Sequence, residues 1–128
     1  MEIMRRGLIQ WLTAVGVGAV LTVSNLQAQT TPQATQEING LLSFVERSDC
    51  LFVRNGTEYP APQARQHLEK KLSYLENKNM VSSAEDFINL AASKSSISGK
   101  AYEVRCPSGT QPASTWLQTE LQRLRQPR

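Results

Sequence analysis

His67 is the only histidine in the chain, and Cys50 and Cys106 are its only cysteines. A histidine-based metal site needs further ligands of the same kind, so neither a metal nor a cofactor is expected. No glycine-rich phosphate loop is present, and no GxSxG elbow marks a nucleophilic serine. The acidic residues are scattered, with no spacing that selects a pair for glycoside cleavage. A Ser–His–Asp set drawn from His67 and Asp49 or Asp86 has many serines and no motif to choose among them. A Cys50–His67 nucleophile pair fails once Cys50 is oxidised. Charge is equally unclustered: 14 basic and 11 acidic residues alternate along 128 positions, for a net +3. That pattern lacks the basic stripe of a nucleic-acid binder, and the basic tail Arg123 to Arg128 reads as a solvated helix end. No internal repeat or low-complexity segment stands out. The expectation is a non-enzyme, with no catalytic residue assigned.

The N-terminus carries what the rest lacks, a long apolar run. Leu8 to Val23, LIQWLTAVGVGAVLTV, follows Arg5 and Arg6 and precedes the small residue Ala28. It is shorter than the roughly 20 residues that span a bilayer and has the layout of a cleavable secretory signal. No cysteine lies beside the cut to carry a lipid. The expected division is residues 1–28 as signal peptide, 29–35 as a disordered N-terminus and 36–126 as a single domain. Localisation is expected to be periplasmic, with no stable membrane span after cleavage.

An even pair of cysteines in an oxidising compartment reads as a disulfide. Closing the 55 residues between Cys50 and Cys106 would stabilise the fold by about 4 kcal/mol in the chain-entropy description.

Periodicity then supplies the elements. From Gln36 onward, Ile38, Leu41, Leu42 and Val45 form one helical stripe, weakened at Gly40 by about 1 kcal/mol relative to alanine. In CLFVRNGTEY, β-formers flank Asn55-Gly56, the dipeptide that suits a type I′ hairpin. Pro60 and Pro62 open a second helix with a core face of Ala64, Leu68, Leu72 (or Lys71) and Leu75. A capping box Ser82-x-x-Glu85 opens a third, with Phe87, Ile88, Leu90 and Ala91 as its apolar side. Ala101 to Cys106 alternates as a third strand, which Pro107-Ser108-Gly109 ends. A last helix covers about Ala113 to Leu124, with Trp116 or Leu117, Leu121 and Leu124 facing in. The disulfide is met if strands one and three pair antiparallel. The fold class is therefore α+β: a small three-stranded antiparallel sheet packed by about four helices, with one disulfide.

Several stretches carry a resemblance. Phe52-Val53-Arg54-Asn55-Gly56, Tyr59 and Ala64-x-x-His67-Leu68-x-x-Lys71 are followed by Ser83-Ala84-Glu85-Asp86-Phe87-Ile88. Ser95-Ser96-x-Ser98-Gly99-Lys100-x-Tyr102 and Trp116-Leu117 complete the set. Together they resemble the YfeK-like exported proteins of Gram-negative bacteria, a domain-of-unknown-function family, which implies a periplasmic protein and no known activity. Locally, Ser98-Gly99-Lys100-Ala101-Tyr102 is similar to the SGxxY loop that periplasmic lysozyme inhibitors insert into the enzyme's cleft. The binding surface expected from this reading comprises Ser96, Ser98, Gly99, Lys100 and Tyr102, with Arg54 and Asn55 of the hairpin tip beside them. His67 reads as a partly buried structural histidine; the alternative is a site in which His67, Arg54 and Tyr59 converge below that tip. The partner class is a periplasmic or cell-wall-associated protein such as a lysozyme. A small hydrolase centred on His67 is the alternative.

Overall fold

Thr31 starts the first helix: its hydroxyl accepts the Ala34 N–H at 3.0 Å, and Pro32 occupies the first turn, where no N–H is needed. The computed structural model describes residues 30–127, so the signal-peptide reading of residues 1–28 lies outside the described residues. Helix α1 spans Pro32–Arg47. It begins four residues before Gln36, and Pro32 to Thr35, expected as frayed chain, are helical because of that cap. Its stripe is as expected, with Ile38, Leu41, Leu42 and Val45 buried.

Strand β1 (Leu51–Arg54) and β2 (Thr57–Pro60) form the hairpin. Asn55 and Gly56 both adopt positive φ, 52° and 80°, as a type I′ turn requires. Helix α2 (Ala61–Asn77) follows with no loop, its first turn carrying Pro62. Helix α3 (Ala84–Ala91) is capped one residue later than the motif suggested. Ser83 accepts from Asp86 N–H at 3.1 Å, and the Asp86 carboxylate reaches back to Ser82 N–H at 3.0 Å. Aspartate replaces glutamate in the reciprocal role because it sits at the third position from the true cap. Within α3, Phe87, Ile88 and Ala91 are buried, whereas Leu90 points outward.

The sheet has four strands, not three. After β3 (Glu103–Cys106), the chain turns at Pro107-Ser108 and returns as β4 (Gly109–Pro112), giving the order β2-β1-β3-β4, antiparallel throughout. The segment GTQP has little β-propensity. An edge strand asks only for backbone pairing, and Pro112 at its end removes no needed donor. Helix α4 (Ala113–Leu124) closes the fold. Leu117 and Leu121 are buried and Trp116 packs on Phe44 and Phe52, while Leu124 is partly exposed. Leu124 still has a role. A Cβ at Gly40 would lie 3.1 Å from its Cδ1, so α1 and α4 approach closely at that glycine.

Strands β1 and β3 pair through Leu51–Arg105, Phe52–Val104 and Val53–Glu103. Just outside this ladder, Cys50 and Cys106 form the disulfide, with Cα atoms 4.2 Å apart. The predicted staple and the predicted strand pairing are both present.

A repeat emerges that the sequence did not display. The element order is helix, hairpin, helix, and then helix, hairpin, helix again. Pro32 and Ala84, Leu51 and Glu103, Thr57 and Gly109, and Ala61 and Ala113 begin corresponding elements, and members of each pair are 52 residues apart. Thr31 and Ser83 cap corresponding helices at the same offset, and Pro60 and Pro112 precede the other two. Side-chain identity is nearly lost between the halves, so only backbone chemistry (caps, turns and Pro-Ala helix starts) preserves the pattern.

Candidate functional site

The hairpin turn fixes Arg54 at the end of β1. The abrupt Pro60–Ala61 junction then folds α2 back beneath it, which brings His67 and Lys71, one helical turn apart, under the strand ends. Tyr102 enters from the other half. Its backbone is held on both sides, by Tyr102 N–H to Ser93 O and by Ala113 N–H to Tyr102 O, both 2.9 Å. Its ring is buried, and its hydroxyl lies 3.1 Å from His67 Nε2 and 3.1 Å from Lys71 Nζ. Lys71 also donates to the Lys94 carbonyl at 3.0 Å.

Lys71 has donors only, so the Tyr102 oxygen accepts from it. The direction of the contact between that oxygen and His67 Nε2 is set by the imidazole tautomer: with the ring proton on Nδ1 the phenol O–H donates to Nε2, and with it on Nε2 the phenol oxygen accepts. Burial, reinforced by Arg54, Lys71 and Lys70, holds His67 below its ordinary value of 6.5 and so favours the neutral ring. Burial and then Arg54 also lower Lys71, and burial raises Tyr102 against a smaller opposing effect of Arg54.

Arg54 stacks over Tyr59, its guanidinium carbon 4.8 Å from the ring centroid. Arg54, Tyr59, His67 and Tyr102 line one cavity of about 320 Å3, whose lining also includes Phe52 and the buried Leu68 and Leu117. Among the described residues no carboxylate forms an ion pair with Arg54, Lys70 or Lys71, and no three His, Cys, Asp or Glu side chains cluster as metal ligands do.

The sequence-selected residues thus divide. Arg54, Tyr59, His67 and Tyr102 come together in the cavity. Asn55, Ser98 and Gly99 instead build the loop above it. Gly99 has φ +76°, and the loop is closed by Ser95 N–H to Lys100 O at 2.9 Å and Gly99 N–H to Ser95 O at 3.0 Å. The Asn55 side chain donates to Ser95 Oγ at 3.3 Å and accepts a short hydrogen bond from Ser98 Oγ, so the hairpin tip braces the loop. Lys100 is exposed at the loop's edge, and Ser96 lines a separate shallow hollow against Leu90 and the outer side of Lys71.

Two participants escaped the sequence-based selection. Lys71 stood in the family-like motif, i, i+4 from His67, but nothing in the sequence directed it at Tyr102. Ser95 is buried, and its hydroxyl accepts from Ile97 N–H and Ser98 N–H, both at 3.2 Å. That is the local serine turn a Ser-rich segment favours, and nothing in SKSSIS singles out which serine makes it.

No helix of the described residues is long and apolar enough to cross a membrane. No solved structure matches the chain. A protein from Salmonella typhimurium described as "Uncharacterized protein YfeK" is 36% identical over 87 residues, covering 67% of this chain and 71% of that protein. Residues 32–125 match the family model described as a family of unknown function, DUF5329. With nearly the whole described chain inside that match, the protein belongs to the DUF5329 family, as the YfeK-like resemblance implied.

Proposed function

We propose that this is an exported, non-enzymatic binding protein that holds a small ligand in the cavity between the β1–β2 hairpin, α2 and Tyr102, with the Ser95–Tyr102 loop forming part of the surface around it. The observation that carries this reading is Arg54: a guanidinium fixed on Tyr59, facing a cavity, with no carboxylate paired to it among the described residues. Export is supported by the Cys50–Cys106 disulfide, which persists in oxidising compartments. A binding role fits better than hydrolysis because His67 Nε2 is committed to Tyr102 and no described carboxylate orients the ring as a base. The test is native mass spectrometry of protein incubated with the small-molecule fraction of a periplasmic extract. Wild type should retain a small molecule that Gln63→Trp, at the exposed cavity mouth, does not. Equal retention, or none, overturns the reading.

The loop tip favours a second reading, contact with a protein. Ile97 is 93% exposed on a loop already braced by Asn55, so little ordering entropy remains to oppose insertion into a cleft. Lysozyme inhibition through Ser98 and Lys100 is its sharpest form, and it requires Ser98 Oγ to exchange Asn55 for a catalytic carboxylate of the enzyme. Micromolar protein should slow lysis of cell-wall suspensions, and Ser98→Ala with Lys100→Ala should abolish this. Unchanged lysis by c-, g- and i-type enzymes removes it.

A further inference from the structure

The cavity described above has two unlike ends, and this asymmetry defines what fits it. Of its lining residues, Arg54, Tyr59 and His67 are half-buried and Lys70 is exposed, whereas the apolar Leu68, Ala92 and Leu117 are buried, with the half-buried Phe52 beside them. Resting on the proposed binding role, we infer that the ligand is a small organic anion: one carboxylate or phosphate seated against Arg54 and an apolar body directed toward Leu68 and Leu117.

Each part of that description has its own support. A guanidinium presents a planar donor fork that matches a carboxylate or phosphate. Arg54 is held over Tyr59 rather than swinging freely, so less side-chain order must be imposed on binding. The titratable side chains lining the cavity are Arg54 from β1, Tyr59 from β2, His67 and Lys70 from α2, and Tyr102 ahead of β3, with no carboxylate among them; Lys71 adds its charge from behind, through its bond to the Tyr102 hydroxyl. A cationic ligand would meet only repulsion. A neutral apolar ligand would leave Arg54 beside it partly desolvated and unpaired. The volume of about 320 Å3 lies at the small end of the roughly 300–1,000 Å3 typical of ligand pockets, so the ligand is small. Octanoate has that size and that division into head and tail.

The anion would also act on His67. A carboxylate beside the imidazole favours its charged form, so binding and protonation of His67 reinforce each other. Burial disfavours the charged ring in the ligand-free site, so affinity for an anion rises as pH falls through the histidine range, and the protonated Nε2 then donates to the Tyr102 oxygen.

The experiment is an NMR titration of the full disulfide-bonded protein with octanoate, octyl phosphate, 1-octanol and octylammonium. Octanoate or octyl phosphate should shift the amides of Arg54, Ala64, His67 and Tyr102 and bind at least tenfold more tightly than octanol, with octylammonium weaker still. Arg54→Gln should bring the anions down to the affinity of octanol. Comparing octanoate with octyl phosphate separates a carboxylate site from a phosphate site. Between pH 7.5 and 5.5 octanoate should bind several-fold more tightly to wild type and with unchanged affinity to His67→Gln. Octanol matching octanoate at these same amides overturns the anion assignment and leaves the binding role standing. If no probe at about 2 mM moves them, the anion assignment is overturned, and the native mass spectrometry comparison with Gln63→Trp decides the binding role separately.

Discussion

Arg54 and Tyr102 stand at one end of the β1–β3 ladder in the places that Cys50 and Cys106 hold at the other. The ladder runs Leu51–Arg105, Phe52–Val104, Val53–Glu103. One step beyond it in one direction is the disulfide, and one step beyond it in the other is the pair that lines the cavity. The 52-residue offset between the halves exchanges these positions, Cys50 with Tyr102 and Arg54 with Cys106. A quasi-twofold sheet thus has one end sealed covalently and the equivalent end fitted with long polar side chains.

The staple is expected to support the whole domain and to leave the site's geometry nearly untouched. Its sequence separation of 56 corresponds to about 4 kcal/mol of stabilisation in the chain-entropy description, a large share of the 5–15 kcal/mol typical of a small domain. Urea unfolding of Cys50→Ser/Cys106→Ser should show a loss of about that size. Where enough of it stays folded, the amide shifts of Arg54, His67 and Tyr102 should lie close to wild type, because three residue pairs separate the two ends. Large shifts there would mean that the two ends are coupled.

Asn55 has two separable duties, and substitution can divide them. Its backbone takes φ 52° in the turn, and its side chain braces Ser95 and Ser98. Asn55→Gly keeps the left-handed turn at no steric cost but removes the brace; Asn55→Ala loses both. Glycine is expected to cost under about 1 kcal/mol while accelerating hydrogen exchange at Ile97, Ser98 and Lys100. Alanine should cost about 1 kcal/mol more through backbone strain. If exchange in the loop is the same in wild type and Asn55→Gly, the hairpin tip does not hold the loop.

Local chemistry was legible in the sequence; long-range geometry only in part. The Asn55-Gly56 turn, the proline-started α2, the α1 stripe and the cysteine pair each rest on interactions between near neighbours or on a two-member set, and all four appear in the fold. The fourth strand was not legible, because GTQP pairs through its backbone and its side chains carry no pattern. The repeat was hidden for the same reason. At the site, His67, Arg54 and Tyr59 all line one cavity; the sequence read His67 as a structural histidine and offered its convergence with Arg54 and Tyr59 as the alternative. It could not show that Tyr102 turns inward to His67 and Lys71 and away from the loop's outer surface, since that direction is set by β3 pairing with β1 across the chain.

His67 makes the stability of this protein depend on pH in a range where little else titrates. Its folded-state value is depressed, chiefly by burial and then by Arg54, Lys71 and Lys70, from 6.5. A depressed base binds its proton more readily in the unfolded chain, so the fold is favoured above about pH 6.5 and loses stability as pH falls below it. His67 is the single histidine, and no unperturbed side chain of another type changes charge between pH 5.5 and 7.5. Wild type should therefore unfold at lower urea at pH 5.5 than at 7.5, and His67→Gln should narrow the gap. A His67→Gln protein with the wild-type slope would place the titration elsewhere.

At the far end of the molecule, Arg125 binds two carboxylates at once and should govern acid sensitivity. It donates to both oxygens of Glu37 at 2.9 Å and to those of Glu85 at 2.6 and 3.0 Å, joining α4 to α1 and α3. Its hydrogen bonds are the leading cause of the lowered values of both glutamates, and the position of Glu85 in the first turn of α3 adds to the effect. Glu85 is nearly half exposed, so solvent screens that arm; Glu37 is far less exposed. Allowing for this, Arg125→Met should cost about 1–2 kcal/mol at pH 7. Depressed carboxylates stabilise the fold above their unfolded value near 4.5 and lose that contribution as pH falls through the lower folded values. The wild-type advantage over Arg125→Met should therefore shrink toward zero on approach to pH 2, and should be reduced by 1 M salt, which screens the exposed Glu85 arm more than the Glu37 arm. A deficit in Arg125→Met that stays constant from pH 7 to pH 2 would instead assign the role of Arg125 to packing of its methylene stem.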